Sequence, residues 1–170
     1  MSANTKANDY LKECMADALI DLMKVKPFNK ITIDEIASKA EVHRTTWYRN
    51  FSSKGEMITF KLMRLWDSWG KNHGVVVKEG FNIDNADPFY RFNYEIKDLL
   101  KLITDANLSG ALYEAFYQTL KPKFEDSVAE GYKARFYSYG LLGVLNEWID
   151  RDFSEKPEDM INMSREVIIR

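Results

Sequence analysis

The apolar residues of this chain recur at the period of an α-helix. Leu11, Cys14, Met15, Ala18, Leu19 and Leu22 fall three and four apart, which predicts an amphipathic helix over residues 8–25, closed by Pro27. Thr32-Ile-Asp-Glu35 has the spacing of a capping box and opens a short helix to about Lys39, with Ile36 and Ala37 facing inward. A third short helix follows over residues 44–50. Ser53-Lys-Gly-Glu56 repeats the capping-box spacing and opens a longer helix whose buried stripe is Ile58, Leu62, Leu65, Trp66 and Trp69. Gly70, Gly74, Gly80 and residues 82–88 predict a hinge or loop region, in which Val75–Val77 suits a helical turn and an extended piece equally.

Beyond Pro88, the residues Phe89, Phe92, Ile96, Leu99, Leu100 and Ile103 predict one further amphipathic helix. Leu108, Leu112, Ala115 and Phe116 predict the next, ended by Pro122, and a long helix covers about 123–151. Pro157, with Glu158 and Asp159 behind it, reads as the first turn of a last helix carrying Met160, Met163 and Val167 inward. No segment alternates as a strand does. The expected fold is all-α, with a three-helix N-terminal unit over residues 8–60 and a helical C-terminal unit over residues 61–170.

A chain of 170 residues that is 45% hydrophobic can bury one substantial core or two small helical ones. The longest nearly apolar run, Phe136–Ile149, contains Ser138, Asn146 and Glu147 and is too short and too polar to span a bilayer. The first ten residues lack the apolar region of a secretory signal. With one cysteine, Cys14, no intrachain disulfide can form, and a cytoplasmic location is expected. The net charge of −2 argues against non-specific coating of nucleic acid, yet residues 41–64 carry Arg44, Arg49, Lys54, Lys61 and Arg64 against only Glu41 and Glu56. Such a local excess suits docking on a few phosphates, although solvated helix faces commonly carry as much.

Two short helices joined by the four residues Ala40–His43 form the arrangement of a helix-turn-helix. In that geometry the second helix projects its N-terminal side chains into the major groove of double-stranded DNA. Arg44 and Tyr48 lie four apart on one face with Thr45 beside them, whereas Trp47 and Phe51 share the face that packs inward. Arg44 suits bidentate reading of guanine, and Thr45 or the Tyr48 ring suits a thymine methyl. Lys54 sits in the first turn of its helix, against the dipole, which fits an anion bound there better than an ordinary exposed lysine.

The run Ile31-Thr-Ile-Asp-Glu-Ile-Ala-Ser-Lys-Ala-Glu-Val-His-Arg-Thr-Thr-Trp-Tyr-Arg-Asn-Phe-Ser-Ser-Lys54 closely resembles the DNA-binding region of TetR-type regulators, over about residues 8–60. The resemblance implies phosphate contacts from Thr46, Tyr48, Asn50 and Lys54, base reading by Arg44 and Thr45, and some role for Tyr48 at bases. With Thr32 and His43 added, the DNA-facing set is Thr32, His43, Arg44, Thr45, Thr46, Tyr48, Asn50 and Lys54. Two positions depart from the family pattern. Glu41 stands where glycine is usual, which costs about 1 kcal/mol if φ is positive there. His43 replaces the usual serine at the start of the recognition helix and is a poorer cap, a surface histidine or a DNA contact.

In the C-terminal half, Phe136–Ile149 is apolar almost all round, so one face can pack internally while another needs a partner. Gly140, Leu141, Gly143, Val144 and Trp148 are the expected interface of a homodimer, the glycines permitting close approach. Trp66, Trp69, Phe92, Tyr113, Phe116, Phe136 and Tyr139 either line a pocket for a small apolar or aromatic effector or form plain core. Residues 132–148 resemble C-terminal domains whose effectors are largely unassigned, and some members of the family respond to a partner protein instead. A helical interaction module that has lost DNA binding is a further alternative, opposed by the presence of Arg44, Tyr48 and Lys54.

An enzyme is not expected. The two histidines, His43 and His73, form no cluster with metal-ligand spacing, and no phosphate-cradling glycine loop or nucleophile elbow is present. Glu95, Asp98 and Glu114 stand among basic residues and read as a solvated face. No cofactor is implied, and no membrane partner.

Overall fold

The computed structural model describes residues 3–75, 86–120 and 128–168. Among these residues the chain forms nine α-helices, one 3-10 turn at Phe28–Lys30 and no strand. The N-terminal helices are α1 (Ala3–Met23), α2 (Ile33–Lys39), α3 (Thr45–Asn50) and α4 (Lys54–Asn72). The remainder are α5 (Ala86–Glu95), α6 (Lys97–Asp105), α7 (Ser109–Leu120), α8 (Val128–Asp150) and α9 (Pro157–Ile168). No helix among the described residues is long and apolar enough to cross a membrane. The expected loop at Gly80 and the helix end at Pro122 lie outside the described residues, as does the side chain of Val167.

Of the predicted stripe of α1, Met15, Ala18 and Leu19 are buried and Leu11, Cys14 and Leu22 partly so; Ala16, outside that stripe, is also wholly inaccessible, together with Ile36 of α2 and Met57 and Ile58 of α4. Each large side chain so buried contributes about 1.5–3 kcal/mol. Trp47 and Phe51 close this cluster from α3, with ring centroids 5.9 Å apart. The core continues through α4 onto α7 and into Tyr90, Leu100, Ile103, Leu145, Trp148 and Phe153. At the junction the Thr59 hydroxyl of α4 donates to the Ala111 carbonyl of α7 over 3.1 Å in a buried setting.

The structure differs from the periodicity after residue 86. One helix was expected over Phe89–Ile103, but α5 ends at Glu95 and α6 begins at Lys97, with Ile96 at φ −100 and ψ 16 between them. Neither glycine nor proline marks this break. Its physical basis is tertiary: α5 packs on α9 while α6 turns to pack on α8. Pro88 sits inside the first turn of α5, where its missing N–H loses no helical bond.

Four helices end in the same manner. After α2, α4, α6 and α8 the chain enters the left-handed region at Glu41 (φ 55), Gly74 (φ 64), Asn107 (φ 59) and Asp152 (φ 59). In each case the following N–H reaches back to a carbonyl of the last turn: Val42 to Ala37, Val75 to Gly70, Leu108 to Ile103 and Phe153 to Trp148. This double reversal satisfies carbonyls that a bare helix end would leave open. Only one of the four uses the glycine that the conformation favours.

Candidate nucleic-acid interface

Thr32 caps α2 as its spacing predicts. Its hydroxyl accepts from the Glu35 N–H (3.2 Å), and the Glu35 carboxylate accepts from the Thr32 N–H (2.8 Å). The Lys26 ammonium also bonds Glu35, and these contacts, the ammonium first, hold the Glu35 carboxyl down at about 2. The second capping box is only half made. Ser53 accepts from the Glu56 N–H, but the Glu56 carboxylate goes to the N–H and hydroxyl of Ser52.

The turn into the recognition helix is where the sequence departs from glycine chemistry, and a non-glycine residue takes the left-handed conformation there. Glu41 takes φ 55, and Glu41 and Val42 donate to the carbonyls of Ser38 and Ala37. His43 takes over the cap. Its Nδ1 accepts from the Thr45 N–H at 3.3 Å and stands 2.9 Å from the Thr45 hydroxyl, while its carbonyl accepts from the Thr46 N–H. A ring nitrogen thus stands where a serine oxygen would serve.

On α3 the two faces separate cleanly. Trp47 is buried, and Arg44, Thr45 and Tyr48 are exposed, the Tyr48 side to 68%. Arg44 is held only loosely, its guanidinium 4.0 Å from the Asp34 carboxylate. Thr46 is half-buried.

Two residues expected at phosphates are occupied elsewhere. The Asn50 amide donates to the Thr46 carbonyl (2.7 Å), and its oxygen accepts from the Asn8 amide of α1 (2.8 Å). The Lys54 ammonium donates to the carbonyls of Phe28 (2.6 Å) and Ile31 (2.7 Å) and stands 4.4 Å above the Phe28 ring. Desolvation holds the Lys54 ammonium below its usual pKa. Lys54 therefore ties the start of α4 to the loop that precedes α2. Sequence spacing carried no sign of Asn8, which lies 42 residues from the side chain it supports.

The basic excess of residues 41–64 is likewise partly internal. Lys61 pairs with Asp17 and Arg64 with Glu13, both at 2.6 Å, so carboxylates of α1 answer two of the five cations. Arg44, just before α3, and Arg49, within it, remain exposed.

Residues 16–59 match the family model for bacterial regulatory proteins of the tetR family, and residues 89–170 match that for a transcriptional regulator C-terminal region. The chain belongs to the TetR family. It is a DNA-binding transcriptional regulator with an N-terminal helix-turn-helix and a helical C-terminal half. No curated protein matches it. The TetR-type match begins within α1, so Asn8 and the first turns of that helix lie ahead of it. Among the described residues no group of histidine, cysteine and carboxylate side chains could hold a metal ion.

The residues expected to line an effector pocket do not meet in one place. Trp66, Trp69 and Phe92 pack against one another, with centroids 5.1–6.0 Å apart. Phe116 packs on Phe89, and Tyr113 stacks on Tyr139 at 4.3 Å. Phe136 and Tyr139 point outward, 74% and 63% exposed. The expected dimer residues also divide. Gly140 and Gly143 open to solvent and Val144 is half-buried, whereas Leu141 and Trp148 point into the chain's own core, Trp148 being 1% exposed. The reason is visible on α8: a helix apolar on all sides gives no indication of which stripe its own neighbours take.

Proposed function

We propose that this TetR-family regulator acts as a homodimeric repressor on a pseudo-palindromic operator, with α3 of each copy in the major groove. The observation that carries this is the exposed face of α3, where Arg44, Thr45 and Tyr48 project from a helix anchored on its far side by Trp47 and Phe51. Arg44 reads a base edge, for which a good bidentate contact is worth about 1–3 kcal/mol of discrimination. Thr45 and Tyr48 supply apolar and hydroxyl contacts beside it, and Thr32, His43 and Thr46 border the same surface. Asn50 and Lys54 fix the helix in place rather than neutralise phosphates, because their polar atoms are committed within the domain.

In this reading residues 8–60 hold the DNA in the cytoplasm, and residues 61–170 pair two copies and receive the controlling signal. A small apolar or aromatic effector is one source of that signal. Control by a partner protein is a second reading, favoured by the aromatic side chains that lie on the surface of α8 rather than around a cavity. Selection from random duplex DNA tests the central proposal. An inverted repeat, with half-sites about one helical turn or a multiple apart, is the expected product. Recovery of no enriched sequence at low salt would overturn it.

A further inference from the structure

The recognition helix is held from behind by a side chain that lies ahead of the family match, which begins at residue 16. Asn8 shares a face of α1 with Lys12, Met15 and Leu19, which follow it by four, seven and eleven residues. It continues the face that α1 packs on α3 and α4. The Asn8 amide donates to the Asn50 oxygen over 2.8 Å, and the Asn50 amide donates in turn to the Thr46 carbonyl over 2.7 Å. One turn further along α1, the Lys12 ammonium stands 4.1 Å above the Phe60 ring and 5.6 Å from that of Phe51. Helix α1 therefore holds both the last residue of α3 and the residue that follows it.

The two amide bonds have a fixed direction. A carbonyl only accepts, so the Thr46 carbonyl turns the nitrogen of the Asn50 amide toward itself and leaves the oxygen facing α1. A donor is needed there, and Asn8 supplies it. Trp47 and Phe51, by contrast, hold α3 through apolar contact, which is non-directional and lets a helix of six residues roll about its axis. At about 100° per residue, Asn50 falls about 160° from Tyr48 and about 140° from Thr45, behind the exposed face. A roll of about 20° carries a side-chain tip about 6 Å from the axis through about 2 Å. Hydrogen-bond lengths vary by only about 0.5 Å, so a bidentate contact with a base edge is lost in such a roll.

We propose that Asn8 is a positioning residue for operator recognition, acting through Asn50 to fix the roll of α3 and with it the aim of Arg44 at its base. This rests on the reading of α3 as the DNA-contacting helix and adds a residue of α1 to what sets its specificity. Loss of Asn8 blunts discrimination between sequences more than it weakens binding to DNA in general, because general binding rests on phosphate charge and discrimination on base edges.

The test uses the full chain and the operator that the unmodified protein selects. Fluorescence anisotropy gives the affinity for that operator and for unrelated duplex. Asn8→Ala should lower the preference for the operator about tenfold while shifting affinity for unrelated duplex by less than about twofold. Asn8→Asp should lower the preference at least as far, since its carboxylate sets oxygen against the Asn50 oxygen. In an Arg44→Ala background the loss caused by Asn8→Ala on the operator should shrink to less than about twofold. Equal losses in the two backgrounds, or equal losses on operator and unrelated duplex, overturn the proposal and leave Asn8 a support of the fold alone.

Asn50→Leu approaches the same point from the other side, removing both amide bonds at similar volume. Adding Asn8→Ala to it should cost less than about twofold further in operator preference. A further loss as large as that of Asn8→Ala alone overturns the route through Asn50. If the unmodified protein selects no sequence, the reading of α3 and this proposal fall together. An operator whose preference survives Asn8→Ala removes only the role of Asn8.

Discussion

Replacing Lys54 with methionine separates two roles that its position in the sequence leaves equivalent. The ammonium makes two charge-assisted hydrogen bonds to the Phe28 and Ile31 carbonyls. At a half-exposed site the lower end of the usual range applies, about 1.5 kcal/mol each. The ring contact with Phe28 adds about 0.5 kcal/mol. Freeing the side chain returns up to about 1.5 kcal/mol of rotamer entropy. The net expected loss is therefore about 2 kcal/mol, seen as a fall of about 1 M in the urea midpoint at a slope of about 2 kcal/mol/M. Operator affinity measured by fluorescence anisotropy across a salt series supplies the second readout. Loss of one phosphate ligand lowers the salt slope by about 0.9, whereas loss of an internal tie leaves the slope unchanged. Unchanged stability together with a slope reduced by about 0.9 would refute the assignment.

Arg44→Ala should relax base preference at one position per half-site while leaving the others intact, read from repeated operator selection; a uniform loss across all positions would remove it as a base reader. Glu41→Gly should stabilise the protein by about 0.5–1 kcal/mol, since relief of the left-handed side chain outweighs the added freedom of the unfolded glycine. A lower melting temperature for that variant would show that the turn carries no strain. Glu35→Gln should destabilise the fold at neutral pH and progressively less in acid. The folded carboxyl is held at about 2 against an ordinary 4.5, so its contribution is full above about pH 4.5 and lost as pH falls toward 2. Equal destabilisation of the variant at both ends of that window would contradict the ion pair with Lys26.

How far the sequence reveals the molecule depends on whether a feature is written locally. The cap at Thr32, the proline start of α9 and the inward face of α3 rest on residues within one turn of each other, and all were legible. The break at Ile96 was not, because it follows from α5 and α6 choosing different neighbours. Three of the four left-handed helix ends carry Glu41, Asn107 and Asp152, none of them glycine, so they were silent or read as defects. Asn50 and Lys54 matched a family pattern by position, but their partners come from α1 and from the loop before α2. Helical spacing shows that Leu141 and Trp148 are apolar, not which neighbours cover them.

The bond from Thr59 to the Ala111 carbonyl acquires a mechanical meaning from its place along α4. It pins the helix close to its DNA-binding end, leaving a short arm of about 7 Å toward Lys54 and a long arm of about 20 Å toward Asn72. A rigid rod swung about that pin is geared down almost threefold: a 3 Å sweep at the far end moves the near end by only about 1 Å. On the same geometry a sweep at Trp66 or Trp69, about 10 and 15 Å from the pin, would reach Lys54 reduced only about 1.4- to 2-fold. Displacement of α7 shifts the pin itself and transmits at full scale.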